Sequence, residues 1–114
     1  MPDVDQYEPK ITVKSVTIAN GGTTSDSIKL RGTTPVVVQM PAAITGTNLM
    51  FEGSIDNGST FTPINNSVGR ITFVVAANTS FVLNPANFIG YDEIKLVMDV
   101  QGAERIIPIK PFKV

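Results

Sequence analysis

The sequence predicts an all-β domain, an antiparallel β-sandwich of about eight or nine strands. Short runs of alternating apolar and polar residues follow one another, and clusters of Gly, Asn, Ser and Pro separate them. The chain has 114 residues, which suffices for one domain. One sequence does not determine the strand order, so a jelly roll and other sandwich topologies are both compatible with this pattern.

The middle of the chain carries the clearest strand pattern. Residues 48–56 alternate, and Gly53 interrupts their apolar side, which predicts that a neighbour approaches closely there. The return strand, residues 60–64, contains Pro63, which has no N–H to donate and therefore predicts an edge or bulged strand. Further strands are predicted at residues 10–19, 27–31, 36–40, 70–75, 80–83 and 91–100.

Two short segments have the pattern of a single helical turn. Residues 40–46 and residues 84–90 each contain Pro near the start and Gly at the end. In the second segment Asn84 can cap the turn and Pro85 suits its first position. The sequence therefore predicts two single-turn helices.

The two ends of the chain differ from the middle. Residues 1–10 contain two prolines and four charged residues, which predicts an extended N-terminal arm. Residues 11–104 form the predicted sandwich domain. In residues 105–114, Pro108 and Pro111 predict a C-terminal edge strand or an extended tail.

The composition argues against catalysis. The sequence has no His and no Cys, so it lacks the commonest general base and metal ligand and any thiolate site. Only 17% of the residues are charged, against about 25% in typical domains, and 42% are hydrophobic. We therefore expect a protein that is not an enzyme, holds no metal or cofactor, has no small-molecule substrate, and covers its weakly charged surface with other proteins.

Other classes of partner are also unexpected. The nine Lys and Arg residues are spread singly, so they form no basic patch for nucleic acid. No stretch reaches the roughly 18 apolar residues of a membrane helix, and the acidic N-terminus does not resemble a signal peptide. We expect a protein made in a cytoplasm and not bound to a membrane.

The sharpest local motif resembles an Asp-box, Ser-x-Asp-x-Gly-x-Thr-aromatic. It consists of Ser54, Asp56, Gly58, Thr60 and Phe61. Asp56 can accept backbone N–H groups across the hairpin turn, Gly58 supplies a positive φ, and Phe61 can pack beneath. One copy is too few for a propeller, so we expect the motif to stabilise the hairpin rather than bind a glycan.

Several segments together resemble a known family. They are residues 24–32, 36–46, 49–61, 81–85, 88–90 and 94–96. Over roughly residues 24–96 the chain is similar to small β-sandwich virion proteins of tailed bacteriophages, of the head decoration or cement type. This resemblance implies a homotrimer that binds the major capsid protein and lies on the capsid surface of a virion, after synthesis in the cytoplasm of the bacterial host.

The two ends are the predicted partner-binding segments, because each could add a strand to the sheet of a neighbour. The candidate residues are Pro2, Val4, Tyr7, Pro9, Ile109, Pro111 and Phe112. The apolar, proline-rich C-terminus departs from the family pattern, which is usually more polar there.

Two alternatives remain open at this stage. One is a tail, connector or baseplate sandwich of the virion. The other is a carbohydrate-binding domain, which the absence of Trp and the presence of only two Tyr residues disfavour.

Overall fold

The computed structural model describes residues 13–113, which form two packed antiparallel sheets. Nine strands lie within these residues: β1 (Lys14–Ile18), β2 (Ile28–Lys29), β3 (Thr33–Gln39), β4 (Asn48–Ser54), β5 (Thr62–Pro63), β6 (Thr72–Val74), β7 (Ser80–Val82), β8 (Glu93–Met98) and β9 (Arg105–Lys113). The predicted β-sandwich is therefore confirmed. No helix among the described residues is long and apolar enough to cross a lipid bilayer.

The strand pairing is that of a jelly roll. Strand β9 pairs with β1, β8 with β2, β7 with β3, and both β5 and β6 with β4, always antiparallel. Together these pairs form one long two-stranded ribbon that is wound up, so that consecutive pairs lie alternately in the two sheets. One sheet has the order β1-β9-β3-β7, and the other has β2-β8-β4 with β5 and β6 along its far edge.

The core lies between the two sheets. The predicted alternation holds in β8, where Ile94 and Leu96 have no exposed surface, and in β4, where Phe51 has none. The Phe51 ring meets the Phe88 ring edge-on at a centroid distance of 4.9 Å. Each such side chain contributes roughly 1.5–3 kcal/mol by leaving water, so the inward faces supply most of the stabilisation.

One of the two predicted helical turns is present. A 3₁₀ turn covers Pro85–Asn87, and the Asn84 side chain accepts a hydrogen bond from the Ala86 N–H at 3.1 Å. The cap and the proline therefore act at this turn as the sequence predicts.

The other predicted turn, at residues 40–46, is wrong. The Met40 N–H donates to the Thr79 carbonyl at 2.7 Å, and the Pro41 carbonyl accepts from the Asn78 N–H at 2.9 Å. These bonds continue the β3–β7 ladder past the end of both strands. Because the backbone groups of Met40 and Pro41 are already paired across the sheet, no helical turn starts there, and the residues that follow form bends.

The prediction of an edge strand or tail at the C-terminus is also wrong, because β9 lies between β1 and β3. Strand β1 pairs with residues 105–109 of β9, and β3 pairs with residues 109–113. Within the described chain, Pro108 and Pro111 each have a partner strand on one side only. Pro111 faces Pro35, where the register shifts. The two prolines therefore fit an inner strand, because neither has to complete a ladder on both sides.

Candidate functional site

The hairpin motif forms a closed set of hydrogen bonds. Asp56 Oδ1 accepts from the Thr60 N–H at 2.8 Å and from the Ser54 hydroxyl at 2.7 Å. Ser54 Oγ in turn accepts from the Gly58 N–H at 2.8 Å, and Gly58 has φ of 88°. These contacts match the structural role that the sequence predicts for Asp56 and Gly58.

The carboxyl group of Asp56 is committed to this hairpin. The Ser54 hydroxyl, followed by the Thr60 N–H, lowers the pKa of Asp56 below its ordinary value of 3.8. The aromatic residue of the motif, Phe61, lies beside the sheet, where the Lys95 ammonium sits 4.2 Å from its ring centroid. Ser54, Asp56, Gly58 and the Thr60 N–H therefore hold the hairpin, and Phe61 is half-buried beside Lys95.

The only adjacent acidic pair of the sequence fastens this hairpin to the sheet. Asp92 Oδ2 accepts from the Asn57 N–H at 3.0 Å, whereas Glu93 Oε1 accepts from the Ser27 hydroxyl at 2.8 Å. The Glu93 carboxylate also lies against Gly58, where a β-carbon would be 2.4 Å from Oε2. Within residues 13–113, no group of three or more acidic, His or Cys side chains is placed to hold a metal ion.

Beside the hairpin is a groove made of two adjoining pockets of about 370 and 260 Å³. Both pockets are lined by Gly32, Tyr91 and Asp92, so they lie side by side, and we call them together the Tyr91 groove. Lys29 and Arg31 line the larger pocket together with Asp92 and Glu93. The smaller pocket reaches Ile89, whose side chain is 58% exposed. We call the end with the two cations the cationic end and the end at Ile89 the apolar end.

A second candidate surface is the outer side of the four-stranded sheet. Residues directly opposite each other in a ladder share a side, so the register defines this surface except at Thr34, which is opposite Phe112 beside the register shift and is buried. We call it the β9 face; it comprises Val37, Val82, Ile106, Pro108, Lys110 and Phe112, with Ser15, Thr17, Gln39 and Ser80 beside them. Three of its apolar side chains are open to solvent, since Val82 is 78%, Ile106 55% and Phe112 60% exposed, whereas Val37 and Pro108 are half-buried.

The two outer surfaces of the sandwich differ in charge. By register, Lys110 is the one charged residue that the described strands place on the β9 face. On the opposite outer surface Glu52 and Lys95 face each other across β4 and β8, and Val74 lies nearby with 84% of its surface exposed. Cores of protein interfaces are depleted in charge, so the β9 face is the better candidate for contact with another protein.

The predicted partner-binding residues have different outcomes. Pro2, Val4, Tyr7 and Pro9 lie outside the described residues. Ile109 and Pro111 point into the sandwich and are buried, so their prediction as partner contacts is wrong. Phe112 lies on the β9 face. Sequence reasoning missed Ile106 and Val82, although strand alternation through Ile106 and Phe112 was available as a signal.

Comparison with protein-family models gives no match, and comparison with curated proteins gives none either. Among solved structures, the chain is similar to the SPBc2 prophage-derived protein YomS. The TM-score is 0.57 and the sequence identity 14%, and the match covers 92% of this chain and 97% of that chain. At this identity the likeness shows a shared fold.

Proposed function

We propose that this protein is a non-enzymatic structural component of a tailed-phage virion that cements the capsid by binding the major capsid protein through the β9 face. The observation that carries the proposal is the β9 face itself, with three exposed apolar side chains and one charged residue by register. The family resemblance over residues 24–96 supports the virion assignment. The fold shared with a prophage-derived protein over nearly the whole chain is consistent with it.

The β9 face suits a rigid interface. Its residues stand on four hydrogen-bonded strands, so little conformational entropy is lost when a partner covers them. Val82, Ile106 and Phe112 are each more than half exposed, and burying them against a partner removes apolar surface from water. In the proposed assembly the protein lies on the capsid surface and also contacts copies of itself, as a homotrimer.

At β1, one edge of this sheet, Asp26 hinders the addition of a partner strand, which favours contact through the β9 face. At β1, the Thr17 N–H donates to Asp26 Oδ1 at 2.7 Å, and the Thr17 carbonyl accepts from the Asp26 N–H at 3.2 Å. Asp26 thereby occupies the backbone groups of Thr17 that an added strand would use. A capsid partner would therefore bind across the strands rather than extend the sheet at β1.

Two exposed valines provide a matched test. Val82→Lys places a charge on the β9 face, whereas Val74→Lys places one on the opposite surface, and both valines lie in strands of three residues. Each purified variant is mixed with capsids of the encoding phage that lack the protein, and bound protein is measured after sedimentation. We expect Val82→Lys to weaken binding by about tenfold or more, since a buried unpaired charge is costly, and Val74→Lys to bind like the natural protein. Equal binding by both variants would remove the β9 face as the capsid contact.

Copy number tests the capsid location. If the protein decorates the shell, its band in purified virions approaches the intensity of the major capsid band. A much weaker band would instead assign it to the tail, connector or baseplate, where few copies are needed.

A further inference from the structure

The cationic end of the Tyr91 groove is unpaired. Among the described residues, neither the Lys29 ammonium nor the Arg31 guanidinium has a hydrogen-bond or ion-pair partner, and both side chains are exposed. The two carboxylates of the groove are already engaged, Asp92 with the Asn57 N–H and Glu93 with Ser27. Both carboxylates keep their charge, but Glu93 is buried and Asp92 is half-buried, so the exposed charges at this end are the two cations, which favours an anionic ligand.

The other end of the groove offers an exposed apolar side chain beside Thr33 and Asp92. Ile89 is 58% exposed, Gly90 has no side chain, and the half-buried Tyr91 connects this end to the cationic one. A small inorganic anion would use only the cationic end. An extended peptide in which acidic and apolar residues alternate would use both ends.

Hydrogen-bonded turns form part of the groove walls. Two tight turns border it, at Arg31–Gly32 and at Asn57–Gly58, and all four residues have φ between 49° and 88°. Each turn is closed by a backbone hydrogen bond, from Thr33 to Leu30 at 2.9 Å and from Ser59 to Asp56 at 3.3 Å. A preformed groove loses little entropy when it binds an extended segment.

The chain itself contains a segment with the required chemistry. Residues 2–9 hold three acidic residues, Asp3, Asp5 and Glu8, interleaved with Val4 and Tyr7, and no Lys or Arg. The first described residues lie close to the groove. The described chain begins at residue 13, and the next residue, Lys14, donates from Nζ to the Lys29 carbonyl at 3.2 Å.

We propose that the Tyr91 groove binds the acidic N-terminal segment, residues 2–9, of another copy of this chain. The described chain begins beside the acceptor groove, so copies that meet there can exchange segments. The acidic side chains pair with Lys29 and Arg31, and Val4 or Tyr7 packs against Ile89 and Tyr91. The inference rests on the self-association within the proposed function and does not depend on the capsid as partner.

Charge reversal in the full-length chain tests the contact. Lys29→Glu/Arg31→Glu alters the groove, Asp3→Lys/Asp5→Lys alters the segment, and Arg70→Glu reverses an exposed cation outside the groove. Association is measured by sedimentation equilibrium, with urea midpoints to verify folding. We expect each double variant to associate about tenfold or more weakly than the natural chain, and Arg70→Glu to associate normally. A folded groove variant that associates normally would overturn the proposal, as would a natural chain that does not associate.

Mixing the two double variants shows which copy supplies the segment. The groove variant retains a natural segment and the segment variant retains a natural groove, so exchange between copies restores association in the mixture. No restoration would mean that the segment of one copy does not pair with the groove of another, which overturns the exchange. Because these measurements use no capsid, their failure is distinguishable from loss of capsid binding in Val82→Lys.

Discussion

Tyr91 packs directly on Gly53, so closely that a β-carbon at residue 53 would lie 2.4 Å from the tyrosine ring. Gly53 belongs to β4 and is buried, while Tyr91 precedes β8 and lines the groove. The sequence predicts a close neighbour at Gly53, and the structure identifies it. Because Gly53 has no side chain, the Tyr91 ring can lie against β4, where it connects the two ends of the groove.

The first prediction concerns this contact. We expect Gly53→Ala to lower the free energy of unfolding by about 1–3 kcal/mol, because the added methyl group overpacks against the ring. Urea unfolding followed by far-UV circular dichroism measures the change. Gly102→Ala is the control, because its β-carbon would meet its nearest neighbour at an ordinary 3.4 Å.

A double variant distinguishes overpacking from backbone strain. In Gly53→Ala/Tyr91→Ala the ring is gone, so the alanine at residue 53 costs much less than it does beside Tyr91. An equal cost with and without the ring would contradict the packing explanation.

The second prediction concerns the loop between the 3₁₀ turn and β8. Phe88 has no exposed surface and packs edge-on against Phe51 at 4.9 Å. We expect Phe88→Ala to lower the free energy of unfolding by about 3–5 kcal/mol, since it leaves a cavity in the core. The neighbouring Ile89 is 58% exposed, so Ile89→Ala should change stability by no more than about 0.5 kcal/mol. Comparable losses in the two variants would show that the loop is not anchored by Phe88.

Local signals predict those parts of the fold that depend on neighbours in sequence. Pro63 identifies an edge strand correctly, since β5 pairs with β4 alone among the described strands. Asn84 identifies its capped turn for the same reason. Residues 40–46 have a similar local pattern, but their backbone groups pair with the distant Asn78 and Thr79, which no local pattern encodes.

The candidate surfaces depend even more on distant pairing. The prolines of the last strand predict an edge, but β9 is flanked by β1 along its first half and by β3 along its second half. That pairing buries Ile109 and leaves Phe112 exposed. The Tyr91 groove combines residues from three separate segments, around Arg31, Asn57 and Tyr91. It can therefore be recognised only once the strand order is known.

The third prediction concerns pH. Asp99 accepts from the Thr47 N–H at 3.0 Å and the Asn48 N–H at 3.2 Å at the start of β4. Hydrogen bonds from Asn48, backbone first, hold the pKa of Asp99 below its ordinary value of 3.8, as the Ser54 hydroxyl does for Asp56. A carboxyl group with a lower pKa in the folded state stabilises the fold above its unfolded pKa. That stabilisation is lost as the pH falls through the folded pKa.

As far as Asp56 and Asp99 contribute, we therefore expect the urea midpoint of unfolding to stay constant between about pH 6 and pH 5 and to decrease at pH values under about 4. In Asp99→Asn and in Asp56→Asn this decrease should be shallower, because each variant lacks one titrating group. Midpoints measured across pH 2–6 give both slopes. A variant with the slope of the natural protein would show that its carboxyl group does not contribute.

The fourth prediction is that one substitution at Arg31 raises stability and weakens self-association. Arg31 and Asn57 occupy equivalent first positions of two tight turns, with φ of 49° and 57°. Asparagine tolerates this left-handed conformation, whereas for most other residues it costs roughly 1–2 kcal/mol. We expect Arg31→Asn to raise the free energy of unfolding by up to about 1 kcal/mol while weakening self-association, because the guanidinium is lost from the groove.

Urea unfolding and sedimentation equilibrium on the same samples measure the two effects, with Arg70→Asn as the control for removal of an exposed arginine. If Arg31→Asn were less stable than the natural chain, the side chain would be holding the turn rather than serving a ligand.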